Sequence, residues 1–264
     1  MSAEKTDNQP VCGIIIIAHM NKIFNISAYR FVSLPDAGDI RTRLRESAEL
    51  LPVKGTILLA EEGINLVLAG PPDAVRELLA VIQADPRLAE LELKESWSAT
   101  QPFGRMVIKV KREIIRMNEP AIRPAAGRAP AVDAMTLKRW LDQGHDDDGV
   151  PVVMLDTRNA FEVDHGAFAD CIDWRLGKFS DFPAAADQHR AELAGKTVVS
   201  YCTGGIRCEK AAIHLRNAGL ERVYQLDGGI LRYFEHAGAS HYRGTCFVFD
   251  EREALAPDLS PAGC

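Results

Sequence analysis

A strand that runs straight into a glycine-bearing loop and then a helix, Thr197 to Gly219, constrains this chain more than any other stretch. Val198 and Val199 lie in a short apolar run, the pattern of a strand buried on both faces. The run ends at Tyr201, and Cys202-Thr203-Gly204-Gly205-Ile206-Arg207 makes a tight loop. A helix is predicted next from Cys208, Ala211, Ala212 and Leu215 at i, i+3, i+4 and i+7, with Asn217 and Gly219 as stop signals. A cysteine therefore sits at the carboxyl end of a strand, just ahead of a helix N-terminus. Free backbone N–H groups, the positive end of the helix dipole and Arg207 all favour its thiolate over its thiol. Gly204 and Gly205 let the loop curl its amides toward the sulfur.

A strand-end cysteine taken alone is more often a small buried hydrophobe than a nucleophile, so the surroundings matter. A helix is expected over Thr136–Gln143, closed by Gly144, and a buried strand over Val152–Leu155 that ends in Asp156-Thr157-Arg158-Asn159. Beyond the Cys202 unit come a strand over Arg222–Leu226, a turn at Asp227-Gly228-Gly229 and a helix over Ile230–His236. Strands alternating with helices imply a parallel α/β sheet covered on both faces, with its site outside the carboxyl ends of the strands. Asp156 and Cys202 both emerge there. Asp156 and Arg158 read as a pair that organises the strand end and supports the site. No metal site is expected: His145-Asp146-Asp147-Asp148-Gly149 reads as a solvated turn, and His236, His241 and Cys246 are too irregularly spaced for ligands.

The first half has a different rhythm. A strand over Ser27–Val32 precedes a helix capped by Asp36, with Ile40, Leu44, Ala48 and Leu51 inward. Thr56–Ala60 reads as a strand, Glu61–Asn65 as a turn and Leu66–Leu68 as a third strand. Pro71-Pro72-Asp73 opens a helix with Val75, Leu78, Leu79 and Ile82 on one face, and Leu91–Lys94 and Met106–Ile115 supply the last strands. In the last strand Met106, Ile108 and Val110 are expected on one face, Lys109 and Lys111 on the other. Strand, helix, strand, strand, helix, strand is the ferredoxin-like split βαβ order. The fold class is thus α+β followed by α/β. The expected divisions are an extension over 1–23, a ferredoxin-like (acylphosphatase-like) domain over 24–116, a linker over 117–130 marked by Pro120, Pro124 and Pro130, a parallel α/β domain over 131–240, and a tail over 241–264.

Length and charge narrow the partners. The 264 residues suit one large or two modest domains. A net charge of −6 argues against indiscriminate nucleic-acid binding. Yet Arg105 to Arg128 holds seven basic residues against two acidic ones, which makes Lys109, Lys111 and Arg112 candidate RNA contacts; the competing reading is a solvated strand edge. Six cysteines without paired spacing suggest neither a disulfide framework nor a zinc finger, and a reducing cytoplasm fits them. The longest apolar run, Val11 to Ala18, is too short for a membrane span and lacks the flanks of a signal peptide, so no membrane partner is expected. Nothing in the sequence specifies an oligomeric state.

The Cys-x4-Arg loop resembles the active-site loop of the rhodanese family, in which the cysteine carries a persulfide; thiolate phosphatases use one more residue between Cys and Arg. Asp156-Thr157-Arg158 and Leu226-Asp227-Gly228-Gly229 add to that likeness. With Lys54-Gly55-Thr56-Ile57-Leu58-Leu59-Ala60-Glu61-Glu62-Gly63-Ile64-Asn65, the run on through Cys208-Glu209-Lys210-Ala211, and Cys246-Phe247-Val248-Phe249-Asp250, the chain resembles the bacterial oxygen-dependent tRNA uridine(34) hydroxylases over roughly residues 26 to 252. Longer members of that family continue past the last motif into a cysteine-containing segment, whereas this sequence stops at Cys264, and Val11–His19 has no counterpart in the likeness.

The resemblance implies hydroxylation of the wobble uridine in a tRNA anticodon loop, with molecular oxygen as co-substrate; no flavin, haem or non-haem iron motif is evident. It implies Cys202 as the catalytic cysteine, Arg207 closing the loop, and Thr203, Gly204, Gly205 and Ile206 as its support. Cys208 is either a packing residue on the helix face or a second, resolving thiol. Glu61 and Asn65 are either RNA contacts or parts of a turn. The alternative activity is a rhodanese-type sulfurtransferase with a Cys202 persulfide.

Overall fold

The computed structural model describes residues 22–262. The extension expected over 1–23, up to residue 21 and with it the Val11–Ala18 run, and Cys264 lie outside the described residues.

In the first domain, β1 (Ile23–Phe31), β2 (Lys54–Ala60), β3 (Gly63–Gly70), β4 (Lys94–Ser98) and β5 (Met106–Val110) form one sheet in the order β4-β1-β3-β2-β5. Its pairs are antiparallel except β2 with β5, which is parallel. Two helices, α1 (Ala37–Glu49) and α2 (Pro72–Gln83), connect the strands. Alternation along β1 sends Phe24, Ile26 and Ala28 into a core with Ile40 and Leu44 of α1 and Val75 and Leu78 of α2. The opposite face carries Asn25, Ser27 and Tyr29, and it is this polar face that meets the second domain.

The first strand begins at Ile23 rather than Ser27, inside the stretch expected as an extension, and β2 and β3 run about two residues further than expected, at Lys54 and Gly70. Other boundaries differ for reasons that the packing shows. The expected turn over Glu61–Asn65 shrinks to Glu61-Glu62, and β3 begins at Gly63. Gly63 has φ +145°, and a Cβ there would sit 2.0 Å from the Arg30 carbonyl oxygen, so only glycine lets β1 and β3 approach at this point. The strand expected at Leu91–Lys94 lies further on, at Lys94–Ser98, because Leu88 and Leu91 are drawn into the core and leave the polar run after them to pair with β1. The strand expected to reach Ile115 ends at Val110; Ile114 turns inward and is buried, while Val110, at the open edge, is exposed.

The second domain is built on a five-stranded, all-parallel sheet in the order β6-β11-β10-β7-β9, comprising β6 (Ala131–Val132), β7 (Val152–Asp156), β9 (Ile172–Asp173), β10 (Thr197–Tyr201) and β11 (Val223–Leu226). Its helices are α3 (Ala134–Gln143), the short α4 (Ala160–Val163), α5 (Phe182–His189), α6 (Ile206–Asn217) and α7 (Gly229–Ala237). Every residue of β10 is buried, as an apolar strand between two helical layers requires. The stretch 117–130 is less a free linker than expected: Met117, Ile122 and Ala129 pack into this domain's core beside Phe182 and Leu215. Likewise β12 (Tyr242–Gly244) pairs with β8 (Gly166–Phe168), β13 (Cys246–Phe247) pairs with β14 (Ala254–Leu255), and Tyr242, Cys246, Val248 and Leu255 join the core. The tail is thus part of the domain. No helix among the described residues is long and apolar enough to cross a membrane.

Candidate active site

The loop after β10 is fixed from three directions. Thr157 anchors its start, with both its N–H and its hydroxyl donating to the Tyr201 carbonyl at 3.0 and 2.8 Å. The first turn of α7 grips its middle, where the Ile230 N–H donates to the Cys202 carbonyl at 2.9 Å and the Leu231 N–H to the Thr203 carbonyl at 3.1 Å. A Cβ on Gly229 would lie 2.5 Å from the Cys202 carbonyl oxygen, which explains why this turn is Gly-Gly. Within the loop, the Gly205 N–H donates to Cys202 Sγ at 3.1 Å.

Cys202 is fully buried, and burial alone pushes its thiol up. Acting against it are a hydrogen bond from the Cys208 thiol, the charge of Arg207, and the backbone N–H groups of Cys208 and Arg207. Together they win and hold Cys202 down at about 5. Cys208 shows the reverse: burial, then the interaction with the Cys202 sulfur and its charge, push it well above the ordinary thiol range. Its S–H is also within reach of the Gly205 carbonyl, at 3.0 Å. The four described cysteines are all reduced. Burial raises Cys171 and drives Cys246 up to about 12, so Cys202 is the thiolate among them.

The Arg207 guanidinium does not hydrogen-bond to the sulfur. It makes a two-pronged pair with Glu162, at 2.6 and 2.7 Å, and acts on Cys202 through its charge and its backbone. Glu162 is fully buried, and Asn159-x-x-Glu162 forms a capping box at α4. The sequence reading missed Glu162, although Asn-x-x-Glu after a predicted strand is the signal that marks it. Asp156 and Arg158 pair with each other at 2.6 Å, wholly buried, and Arg158 also donates to the Gly166 carbonyl at 2.7 Å. They hold β7 to β8 and do not line the cavity described next.

Cys202, Thr203, Gly204, Ile206 and Arg207 form the floor of a cavity of about 500 Å³ between the two domains. Its roof is the polar face of the first sheet, including Asn25, Ser27, Tyr29, Thr56, Asn65 and Lys94. Phe103, Phe179 and Phe249 supply aromatic wall, Arg116 and Lys178 supply positive charge, and Arg252 is paired with Asp250 at 2.6 Å. Phe249 is 61% exposed and stands edge-to-face with Phe247 and Phe161. Lys109, Lys111 and Arg112 are exposed and do not line the cavity, although Lys109 lies opposite the cavity-lining Leu58 and so shares its face of the sheet. Asn65 lines the cavity with its amide donating to the Ile114 carbonyl at 3.2 Å; Glu61 is exposed.

The start of α6 also locks the domains together, which the sequence reading did not anticipate. Lys210, buried, donates to Glu62 at 3.0 Å, to Glu113 at 2.8 Å and to the Ile115 carbonyl at 3.0 Å. Glu209, also buried, accepts from the Tyr29 hydroxyl at 2.9 Å and pairs with Arg128 at 3.1 Å. Asp146 accepts from the N–H groups of Asp148 and Val150 and from Arg222, and His241 pairs with Asp142. Among the described residues no group of three or more metal-binding side chains comes together.

Two family profiles match, the UPF0176 acylphosphatase-like domain over residues 23–114 and the rhodanese-like domain over 136–236. Close relatives carry the description tRNA uridine(34) hydroxylase. One from Variovorax paradoxus is 66% identical over 241 residues, covering 91% of this chain and 92% of the relative. Another from Delftia acidovorans is 63% identical over 241 residues, with the same coverage. A third from Bordetella avium is 63% identical over 239 residues, covering 90% of this chain and 99% of the relative.

Proposed function

The chain belongs to the tRNA uridine(34) hydroxylase family, and from that premise we propose that it hydroxylates uridine 34 of tRNA to 5-hydroxyuridine, with Cys202 as the catalytic thiolate. The observation that carries the role of Cys202 is the place of its sulfur, which accepts from the Gly205 N–H at 3.1 Å at the start of α6 and lies at the floor of a two-domain cavity of about 500 Å³. That volume lies within the range of roughly 300–1,000 Å³ typical of small-ligand pockets. A wobble uridine sits in a single-stranded loop, so it can be splayed out of its stack into such a pocket at modest cost. Phe249 on the cavity wall and Phe161 packed against it, both exposed, offer neighbouring anticodon bases an aromatic platform, and Arg116 and Lys178 offer their phosphates positive charge.

The thiolate adds to C6 of the uracil ring, and the electron pair released from the C5–C6 double bond makes C5 nucleophilic toward an oxygen donor. Molecular oxygen is the proposed co-substrate. One atom becomes the C5 hydroxyl, and H5 is lost as a proton as the thiolate leaves C6 and the ring double bond returns. The other atom leaves as water, with two electrons and the matching protons from an external two-electron donor. Family membership favours this activity over the sulfurtransferase alternative, whose mark would be thiosulfate turnover by the pure protein. The deciding experiment is nucleoside analysis of tRNA from cells lacking this protein and complemented in turn with the wild type and Cys202→Ser. The wild type restores 5-hydroxyuridine and the variant does not; restoration by Cys202→Ser would remove Cys202 from the chemistry.

A further inference from the structure

Lys94 opens β4 on the polar face of the first sheet, directly opposite Ser27 of β1. Its residue is only 5% exposed, and it lines the cavity whose floor is the Cys202 loop. The ammonium lies 5.2 Å from the centre of the Tyr29 ring, a cation–π contact. Among the described residues no hydrogen bond or ion pair reaches its Nζ. Other buried cations around the site are committed: Arg158 to Asp156, Arg207 to Glu162, and Lys210 to Glu62 and Glu113.

A nine-tenths buried ammonium with no anionic partner is costly to the fold. Burial is the main force depressing its pKa, and Arg232 adds to it; Glu92, Cys202 and Asp227 act the other way. The Cys202 charge is therefore felt across the cavity. What Lys94 lacks is an acceptor, and the cavity is the place from which one can come.

Resting on the proposed addition of Cys202 to uracil, we propose that Lys94 is a second catalytic residue, supplied by the first domain, whose ammonium receives the negative charge that this addition places on the O4 carbonyl of the base. The Cys202 lone pair forms the S–C6 bond, the C5–C6 π pair moves to make C4–C5 double, and the C4–O4 π pair goes to O4. O4 then takes a proton from Lys94 Nζ, leaving a neutral enol and a neutral amine; collapse of the adduct reverses the transfer. A depressed ammonium pKa suits a donor of this kind, and an unpaired donor facing the site costs no reorganisation when the charge appears. The arrangement also gives the first domain a chemical part in the reaction besides holding RNA: the nucleophile comes from one domain and the acid from the other.

The test uses the full chain and an anticodon stem-loop RNA with 5-fluorouridine at position 34, whose C6 adduct with a thiolate persists long enough to be seen by mass spectrometry. Wild type, Cys202→Ser, Lys94→Met and Lys94→Arg are compared for the rate of adduct formation, with thermal melting and iodoacetamide alkylation of Cys202 measured in parallel. The expected result is an adduct for the wild type and none for Cys202→Ser. Lys94→Met should form it about 10²-fold more slowly, the usual size of a lost acid or oxyanion donor, and Lys94→Arg should recover part of the rate. The melting temperature of Lys94→Met should hold or rise, because a buried unpaired charge has been removed, and alkylation of Cys202 should persist. Adduct formation by Lys94→Met at the wild-type rate would overturn the role of Lys94 and leave that of Cys202 standing. Absence of any adduct with the wild type would overturn the addition step itself, and Lys94 with it.

Discussion

The floor and the roof of the cavity are built on opposite principles. On the floor the charges beside the nucleophile have their partners inside the second domain: Arg207 with Glu162, and the Cys202 sulfur with its loop. On the roof, Lys94 is buried with no such partner among the described residues, in a face of Asn, Ser, Tyr and Thr side chains. One surface is electrostatically complete before substrate arrives and the other awaits it. Preorganised charge on the nucleophile and open donors opposite are what an addition to a neutral ring requires, since the charge is on sulfur before the step and on the base after it.

The contrast breaks most severely at Glu162. Glu162→Gln leaves the Arg207 guanidinium buried beside a neutral amide, and losing one member of a buried pair costs about 3–5 kcal/mol. Urea unfolding should report a loss of that size together with loss of hydroxylation. A stability within about 1 kcal/mol of wild type, the size of an exposed pair, would show that the floor does not depend on this pair.

The junction of floor and roof rests on Lys210. Its acceptors Glu62 and Glu113 keep some solvent access, with side chains 20% and 15% exposed, so they are less penalised when left alone than a fully buried acid. Lys210→Met should cost about 1–3 kcal/mol and lower hydroxylation at least tenfold by loosening the roof. The thiolate, which belongs to the floor, should survive. Its iodoacetamide rate should still climb with pH through about 5 and stay flat toward 8, as a thiol held down there requires. Loss of that profile would mean that the roof helps set the thiolate, and the two surfaces would not be independent.

Outside the cavity lies the basic edge. Replacing Lys109, Lys111 and Arg112 together by Ala should weaken tRNA binding and flatten its salt dependence by up to about three units of log–log slope, at roughly 0.7–0.9 per phosphate contact. Alkylation of Cys202 should be untouched. An unchanged slope would mark these residues as a solvated edge and leave phosphate binding to Arg116 and Lys178 around the cavity.

The floor was legible in the sequence and the roof was not, for a physical reason. Strand, loop and helix around Cys202 are contiguous, so local rules place the sulfur at a helix start without knowledge of the rest. Glu162 was within reach of the same rules through its capping box. Lys210, by contrast, meets Glu62 across 148 residues of chain, and periodicity along α6 says only that a lysine is off the apolar stripe. Lys94 is harder still. It sits where the sequence suggested the last residue of a short strand, and its burial arises because a second domain covers the face it shares with Ser27 and Tyr29. The basic cluster was visible as a count, yet a count does not say which cations face a cavity.

The finest discrimination concerns Cys208, which touches the thiolate from within the floor. Its thiol is both a buried packing group and a donor toward Cys202. Cys208→Ala should cost of order 1 kcal/mol through the lost packing, and it should move the alkylation midpoint of Cys202 to higher pH, because one of the groups that hold the thiolate is gone. The sign in stability follows from linkage. The native state keeps Cys202 ionised down to about 5, while an unfolded thiol ionises near about 8.5, so the native state binds fewer protons in that window and gains stability as pH rises through it. That gain is complete above the unfolded value and is lost as pH falls through about 5. A variant with a higher Cys202 midpoint begins to gain later. The stability gap between wild type and Cys208→Ala should therefore be smallest near pH 5, widen as pH rises, and hold below the unfolded thiol value, above which the raised Cys208 pKa opposes it. Turnover at pH 8, where both proteins carry the thiolate, should be largely retained. If turnover vanished while melting and the alkylation midpoint stayed at wild-type values, Cys208 would be a resolving thiol in the chemistry, and the floor would contain two reactive sulfurs rather than one thiolate and its donor.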